Sequence, residues 1–313
     1  MSQIEQLIGE HLAKHDVQKL PSGFRFNRTH GATDLTFTPA NNFRDDFKLS
    51  SIATVRTRFT KGIPPFTSNE LNRLNRRAVF GNFMSGESGI ELQLTFSIYE
   101  NEPAFDWVIE ILLKAFGEQL ALGLGIAQSD ATEELLRFNR SNLEYPRAWK
   151  NQPAREAFVK SAEAFCKRGL VSTAEQNGLT LEVPLTPGPA SRMLDPNAET
   201  ALIRISTDVP HPVAGVGYLC TIALPYDPPK NEISSWCEHL NSVEHAQADF
   251  VPRMGAWAIR GLDDEIVYSL FWPTTGETDQ HANLANWMVQ RTLWAREQFW
   301  EPKKGLLRNG AQK

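Results

Sequence analysis

Ile90-Glu91-Leu92-Gln93-Leu94-Thr95-Phe96-Ser97-Ile98-Tyr99 is the stretch that decides the fold. Apolar residues occupy every second position and polar residues fill the gaps. That is the period of a β-strand with one buried face and one wet face. Just upstream, Ser85-Gly86-Glu87-Ser88-Gly89 reads as a hairpin turn, and residues 78–84 read as the strand that pairs across it. Further out, Phe24 and Phe26, Leu35 and Phe37, and Val55 and Phe59 alternate with polar neighbours and mark three more strands. Pro64-Pro65 ends the third of these, and Ser68 is expected to cap a helix running to about residue 77. Residues 3–15 form an amphipathic helix with Ile4, Leu7, Ile8 and Leu12 on one side. Downstream, residues 104–120 read as a long helix whose only polar stripe is Asp106, Glu110, Lys114 and Glu118. Such a helix is expected to be buried on most sides. The element order is α-β-β-β-α-β-β-α.

The same order recurs after residue 150. Helices are expected over 154–167, 232–247 and 282–300, and strands over 179–185, 201–207, 217–225, 254–260 and 265–272. Local matches support a repeat. Thr57 precedes Pro64-Pro65 by the same spacing as Thr221 precedes Pro228-Pro229. Leu71-Asn72 and Leu74-Asn75 parallel Leu240-Asn241, and Gly81-Asn82-Phe83 parallels Gly255-Ala256-Trp257. Phe96-Ser97-Ile98-Tyr99 parallels Tyr268-Ser269-Leu270-Phe271, and Trp107 parallels Trp287. The expected fold is α+β: two tandem α-β-β-β-α-β-β-α units, each an antiparallel sheet packed with helices. The units span 1–125 and 154–302, joined by a 126–153 linker with a short helix over 131–140 and followed by a 303–313 tail. A proline-rich loop is expected over 186–199.

Bulk properties agree with a globular protein of this size. The chain has 313 residues, 41% hydrophobic and 22% charged, enough for two cores. Its net charge of −5 argues against nucleic-acid binding by bulk electrostatics. Cys166, Cys220 and Cys237 form no Cys-x-x-Cys pair, which fits a reducing compartment. No leader is apparent, and the most apolar stretch, 104–127, carries four charges. A cytoplasmic protein with no membrane partner is expected.

Residues 70–84, Glu-Leu-Asn-Arg-Leu-Asn-Arg-Arg-Ala-Val-Phe-Gly-Asn-Phe-Met, followed by Ile90-Glu91-Leu92-Gln93-Leu94-Thr95-Phe96, resemble the YbjN-like proteins. The resemblance covers most of residues 3–122 and reaches 154–300 only through element order. It implies the fold of type III secretion chaperones, dimeric proteins that bind extended protein segments. It implies no enzymatic residues. The second copy lacks the Asn-Arg-Arg run.

No catalytic residue, cofactor site or metal site is expected. Cys237, His239 and His245 share one expected helix, but His239 and His245 are six residues apart and face different ways. Gly123-Leu124-Gly125 and Gly215-Val216-Gly217 are too short for a dinucleotide fingerprint. Charge is more informative. Residues 19–77 hold eleven Lys and Arg against four Asp and Glu. Within them Arg25, Arg56 and Arg58 fall on the wet side of the alternation and are expected to share a sheet face. With Arg76 and Arg77 they are the candidate partner-binding residues. Two readings stay open: a docking face for an acidic protein partner, or pairing with the chain's own acids across the joint between copies. Six of the eight tryptophans follow residue 235, and the second copy's hairpin looks apolar on both faces, so it needs a second cover. The expected function is a non-enzymatic, chaperone-like or regulatory protein-binding protein whose copies pair within one chain as subunits pair in a homodimer. The alternative is a small-ligand binder or enzyme with its site in the cleft between copies.

Overall fold

The structure is a computed structural model. It describes residues 3–13, 17–28, 31–39, 43–44, 47–59, 66–76, 81–86, 89–99, 152–175, 178–185, 199–211, 215–225, 232–246, 253–260, 265–273 and 281–310. The helices expected over 104–120 and 131–140, the linker, and the loop over 186–198 lie outside those residues.

The first half contains α1 (Gln3–Leu12), β1 (Gln18–Leu20), β2 (Gly23–Arg28), β3 (Gly31–Pro39), β4 (Phe43–Arg44), β5 (Phe47–Phe59), α2 (Ser68–Asn75), β6 (Asn82–Gly86) and β7 (Gly89–Tyr99). The second contains α3 (Gln152–Lys167), β8 (Val171–Glu175), β9 (Gly178–Pro184), β10 (Thr200–His211), β11 (Gly215–Leu224), α4 (Ile233–Ala246), β12 (Ala256–Arg260), β13 (Glu265–Pro273) and α5 (His281–Gly310). The fold is α+β with two antiparallel sheets. Their orders are β1-β2-β3-β5-β7-β6 and β8-β9-β10-β11-β13-β12, with two-residue β4 added to β5.

Four differences from the sequence expectation have physical causes. Each sheet starts with a short edge strand, β1 or β8, that was not anticipated. Three to five residues are too few to show alternation. The cap of α2 is Thr67, not Ser68. Thr67 Oγ1 accepts from the Glu70 amide, and the Glu70 carboxylate accepts from the Thr67 amide, a reciprocal capping box. The tail expected from 303 is helical to Gly310. Lys303, Lys304, Leu306 and Leu307 are residue types that favour helix. The ladders also shift two of the sequence matches, as follows.

Asn75 and Asn241 make the same contact in each half. The Asn75 amide donates to Phe83 O at 3.0 Å, and its oxygen accepts from Phe83 N at 2.6 Å. The Asn241 amide donates to Trp257 O at 2.9 Å, and its oxygen accepts from Trp257 N at 2.8 Å. Each asparagine therefore ties the central helix of its half to the following edge strand. Gly81 and Gly255, two residues before the clamped positions, have no room for a side chain. An added Cβ would lie 2.3 Å from the carbonyl oxygen of Gln93 or Ser269. Counted from the clamps, Phe83 faces Leu92 and Leu92 faces Thr57, while Trp257 faces Tyr268 and Tyr268 faces Ile222. Ile222, not Thr221, thus holds the place of Thr57. Tyr268 stands opposite the clamp as Leu92 does, four residues earlier than Phe96. The buried Thr33–Thr57 hydroxyl pair, 2.8 Å apart, has Ile203 and Ile222 in its place in the second sheet.

The expected alternation sets the faces. In the first sheet Leu35, Phe37, Ala53, Val55, Phe59, Ile90, Leu92 and Leu94 are buried on one side. In the second, Leu181, Ile203, Ile205, Cys220, Ile222, Tyr268 and Leu270 are buried on the corresponding side. Phe158 and Phe165 of α3 and Leu284, Ala285 and Met288 of α5 pack on these. The clustered tryptophans belong to this core: Trp257, Trp272 and Trp294 are buried, and Trp272 lies 5.2 Å from Trp287.

The two central helices position everything else. Both α2 and α4 touch β6 and β12, and they touch each other. Each therefore packs on the edge strand of its own sheet and on that of the other. Ala256 of β12 sits in one apolar cluster with Leu71 and Leu74 of α2 and with Phe59, Phe83, Ile90 and Leu92 of the first sheet. This is the second cover that the apolar C-terminal hairpin needs at β12. Asn72 Oδ1 accepts from the Ile259 amide at 2.7 Å, and Glu238 of α4 accepts from Ser68 at 2.5 Å and Ser85 at 2.9 Å.

Candidate functional site

Ladder registers place Arg25, Asp34, Arg56, Gln93 and Asn82 directly opposite one another on β2, β3, β5, β7 and β6. They form one row across the polar face of the first sheet. Arg58 and Glu91 sit opposite each other two positions along. Arg25 donates to both oxygens of Asp34, at 2.6 and 2.7 Å, and this bond holds its guanidinium more firmly protonated than usual. Arg58 donates to Asp34 at 3.1 Å and to Glu91 at 3.3 Å. Arg56 donates to Gln93 Oε1 at 2.8 Å and lies 3.6 Å from Glu91.

Arg25, Arg56 and Arg58 thus share one face, with 33–35% of each side chain exposed. Their acids, Asp34 and Glu91, come from the same sheet and not from across the joint. Three guanidiniums against two carboxylates leave a single positive charge. Arg76 is elsewhere. It ends α2, and its carbonyl accepts from Arg260 at 2.9 Å. Arg77 lies outside the described residues.

His245 of α4 closes the row from the second half. Gln93 Nε2 lies 3.2 Å from His245 Nδ1 and Thr95 Oγ1 lies 3.3 Å from it, while His245 Nε2 meets Asn82 Oδ1. The proton positions follow from the row. Arg56 can only donate, so it holds the Gln93 oxygen and turns the Gln93 NH2 toward the ring. Nδ1 must then accept, and Nε2–H donates to Asn82. Burial first, then the charges of Arg253, Arg56 and Arg291, push the ring down to about 3. The backbone joins the halves at the same place. Thr95 and Arg253 exchange amide bonds at 3.2 and 2.8 Å, and Gly81 N donates to Met254 O at 2.7 Å; within the second half, Arg253 Nη1 donates to His245 O at 2.7 Å.

Cys237, His239 and His245 occupy three separate surroundings. Cys237 is buried, and burial pushes its thiol up to about 12. His239 is exposed and stands edge-on to Trp236. His245 lies in the row. Among the described residues no group of three or more His, Cys, Asp or Glu is placed to hold a metal ion.

Sequence reading missed a second polar network, under the C-terminal sheet. Glu244 Oε1 accepts from Arg291 Nε at 2.7 Å and Nη2 at 2.5 Å, and Glu244 Oε2 accepts from Trp257 Nε1 at 3.0 Å. The Arg291 guanidinium lies over the Tyr268 ring, and Tyr268 Oη accepts from the Gly255 amide at 2.9 Å. Its four side chains come from four elements, and no local spacing signals it. Comparison with protein-family models, with curated proteins and with solved structures finds no match.

Proposed function

We propose that this chain is a non-enzymatic, chaperone-like protein-binding protein of the cytoplasm, made of two diverged copies of one α+β unit. The copies pair within one chain as subunits pair in a homodimer of YbjN-like or type III secretion chaperone type. The observation that carries the reading is reciprocity at the joint. The two sheets have the same strand order, and each central helix packs on both edge strands. The matching Asn75 and Asn241 clamps add support. Among the described residues no helix is long and apolar enough to cross a membrane.

The candidate binding surface is the sheet face shared by Arg25, Arg56 and Arg58. The partner it suits is a protein segment bearing carboxylates, which can replace Glu91 and Asp34 as acceptors for guanidinium edges. Affinity capture from lysate tests this. The intact protein should retain acidic proteins, and Arg56→Gln with Arg58→Gln should reduce that retention about tenfold, with the melting temperature measured alongside because the pairs are half-buried and Glu91 loses both of its arginine partners. Retention of a small molecule and no protein would favour a ligand site in the cleft instead.

The pairing of copies has its own test. Residues 1–150 and 151–313 expressed apart should be poorly soluble or self-associate, because separation exposes the apolar faces of α2 and β12. Mixed, they should recombine into one species by size-exclusion chromatography. Two soluble, monomeric, mutually indifferent halves would exclude intramolecular pairing.

A further inference from the structure

His245 is the one histidine whose two ring nitrogens are both engaged by the opposite half, among the described residues. A second ring proton leaves the Nε2–H bond to Asn82 in place and falls on Nδ1. Nδ1 faces the NH2 of Gln93, and that amide cannot turn over, because its oxygen is held by Arg56 at 2.8 Å. A proton on Nδ1 would be set against the Gln93 NH2 at 3.2 Å and would have only the Thr95 hydroxyl, 3.3 Å away, to accept it. The charges around the ring add to the conflict. Arg56 approaches from β5, Arg253 from the segment before β12 and Arg291 from α5. The nearby carboxylates are committed elsewhere. Glu244, beside it on α4, points to Arg291 and Trp257. Glu91 on β7 is turned to Arg58 and Arg56. Glu238, two turns earlier on α4, is taken by Ser68 and Ser85.

We propose that His245 is an acid-released latch between the two halves, whose protonation breaks the row at Gln93 and lets α4 lift from the first sheet. The inference rests on these contacts and holds whether or not the halves are copies. With α4 lifted, the ring regains the ordinary value of about 6.5. In the closed form it stays neutral down to about 3. The sign follows from that order. The open form binds the extra proton, so the latch is at full strength above about pH 6.5 and weakens as pH falls from there toward 3. At about pH 5 the open form gains about 30-fold over its share at neutral pH.

Hydrogen exchange on the full chain reads this directly. The Gly81, Thr95 and Arg253 amides bond across the joint, and Ile203 lies in the middle of the second sheet. After correction for intrinsic rates, exchange at the three joint amides should rise about 30-fold between about pH 7.5 and 5. Ile203 should not follow. In His245→Gln, which keeps a donor for Asn82 and does not titrate, the joint amides should show no such rise. A flat profile in the unmodified protein, an equal rise in His245→Gln, or a rise shared by Ile203 would each overturn the latch. A second measurement needs no variant. In the folded protein the ring carbons of His245, followed by NMR, should show no titration down to about pH 5, and titration near its ordinary value of about 6.5 would also overturn it.

Discussion

Replacing Glu244 with alanine should destabilise the protein by about 3–5 kcal/mol, the usual effect of removing one member of a buried ion pair. The reason lies with what stays behind. Arg291 has only 3% of its side chain exposed, and Glu244 is its close carboxylate. Without it the guanidinium keeps a buried charge that stacking on Tyr268 at 4.2 Å compensates only in part. The Trp257 indole N–H loses its acceptor as well. Glu244→Gln should lose less, because an amide oxygen still accepts from one donor. Replacing both Glu244 and Arg291 with methionine should recover most of the loss, since no charge is then stranded. Urea unfolding of the single and double variants measures this as a shift in midpoint at constant slope. A Glu244→Ala protein within about 1 kcal/mol of the parent would mean that the pair is solvated in solution.

The second large effect is expected at the asparagine clamps. Asn241→Ala leaves both the N–H and the C=O of Trp257 without their partner in a residue with no solvent exposure. Each orphaned buried group costs about 1–3 kcal/mol, so the variant should lose about 2–4 kcal/mol. Asn75→Ala removes the same two bonds from Phe83 and should lose a similar amount. Asn→Asp at either position keeps an acceptor for the N–H but sets a carboxylate oxygen against the carbonyl, so it should not rescue. Stability of the four variants, with exchange at the Phe83 and Trp257 amides, is the measurement. A large loss at one clamp and none at the other would show that the two asparagines carry different weight, and would count against the proposal that the halves are copies of one unit.

Much of the fold was legible in the sequence because it depends on period and local chemistry. The alternation of residues 90–99 requires Leu92 and Leu94 to face one way and Glu91 and Gln93 the other, whatever strand lies alongside. The same logic placed Arg25, Arg56 and Arg58 on one face. The edge strands β1 and β8 escaped because three to five residues carry no usable period. The Thr57–Thr221 match, one residue out of register, escaped for a different reason. Spacing to a proline pair is conserved by any loop of equal length, whereas register is set by the ladder.

The candidate site was half legible. Its residue types and common face followed from the chain; its charge balance did not. Asp34 sits opposite both Arg25 and Arg56 only because β3 pairs with β2 on one side and β5 on the other. His245 had no sequence signal at all, since Gln93 and Asn82 lie 152 and 163 residues away. Periodicity, capping and turn chemistry act over a few residues, so the amino-acid sequence alone determined the longer described elements, their buried faces and the arginines' common side. Strand register, the exchange of α2 and α4 across the joint, and the closing of the row by His245 were decided by the tertiary structure. Burial of the surfaces those segments leave exposed is what brings them together, and it acts only once the whole chain has folded.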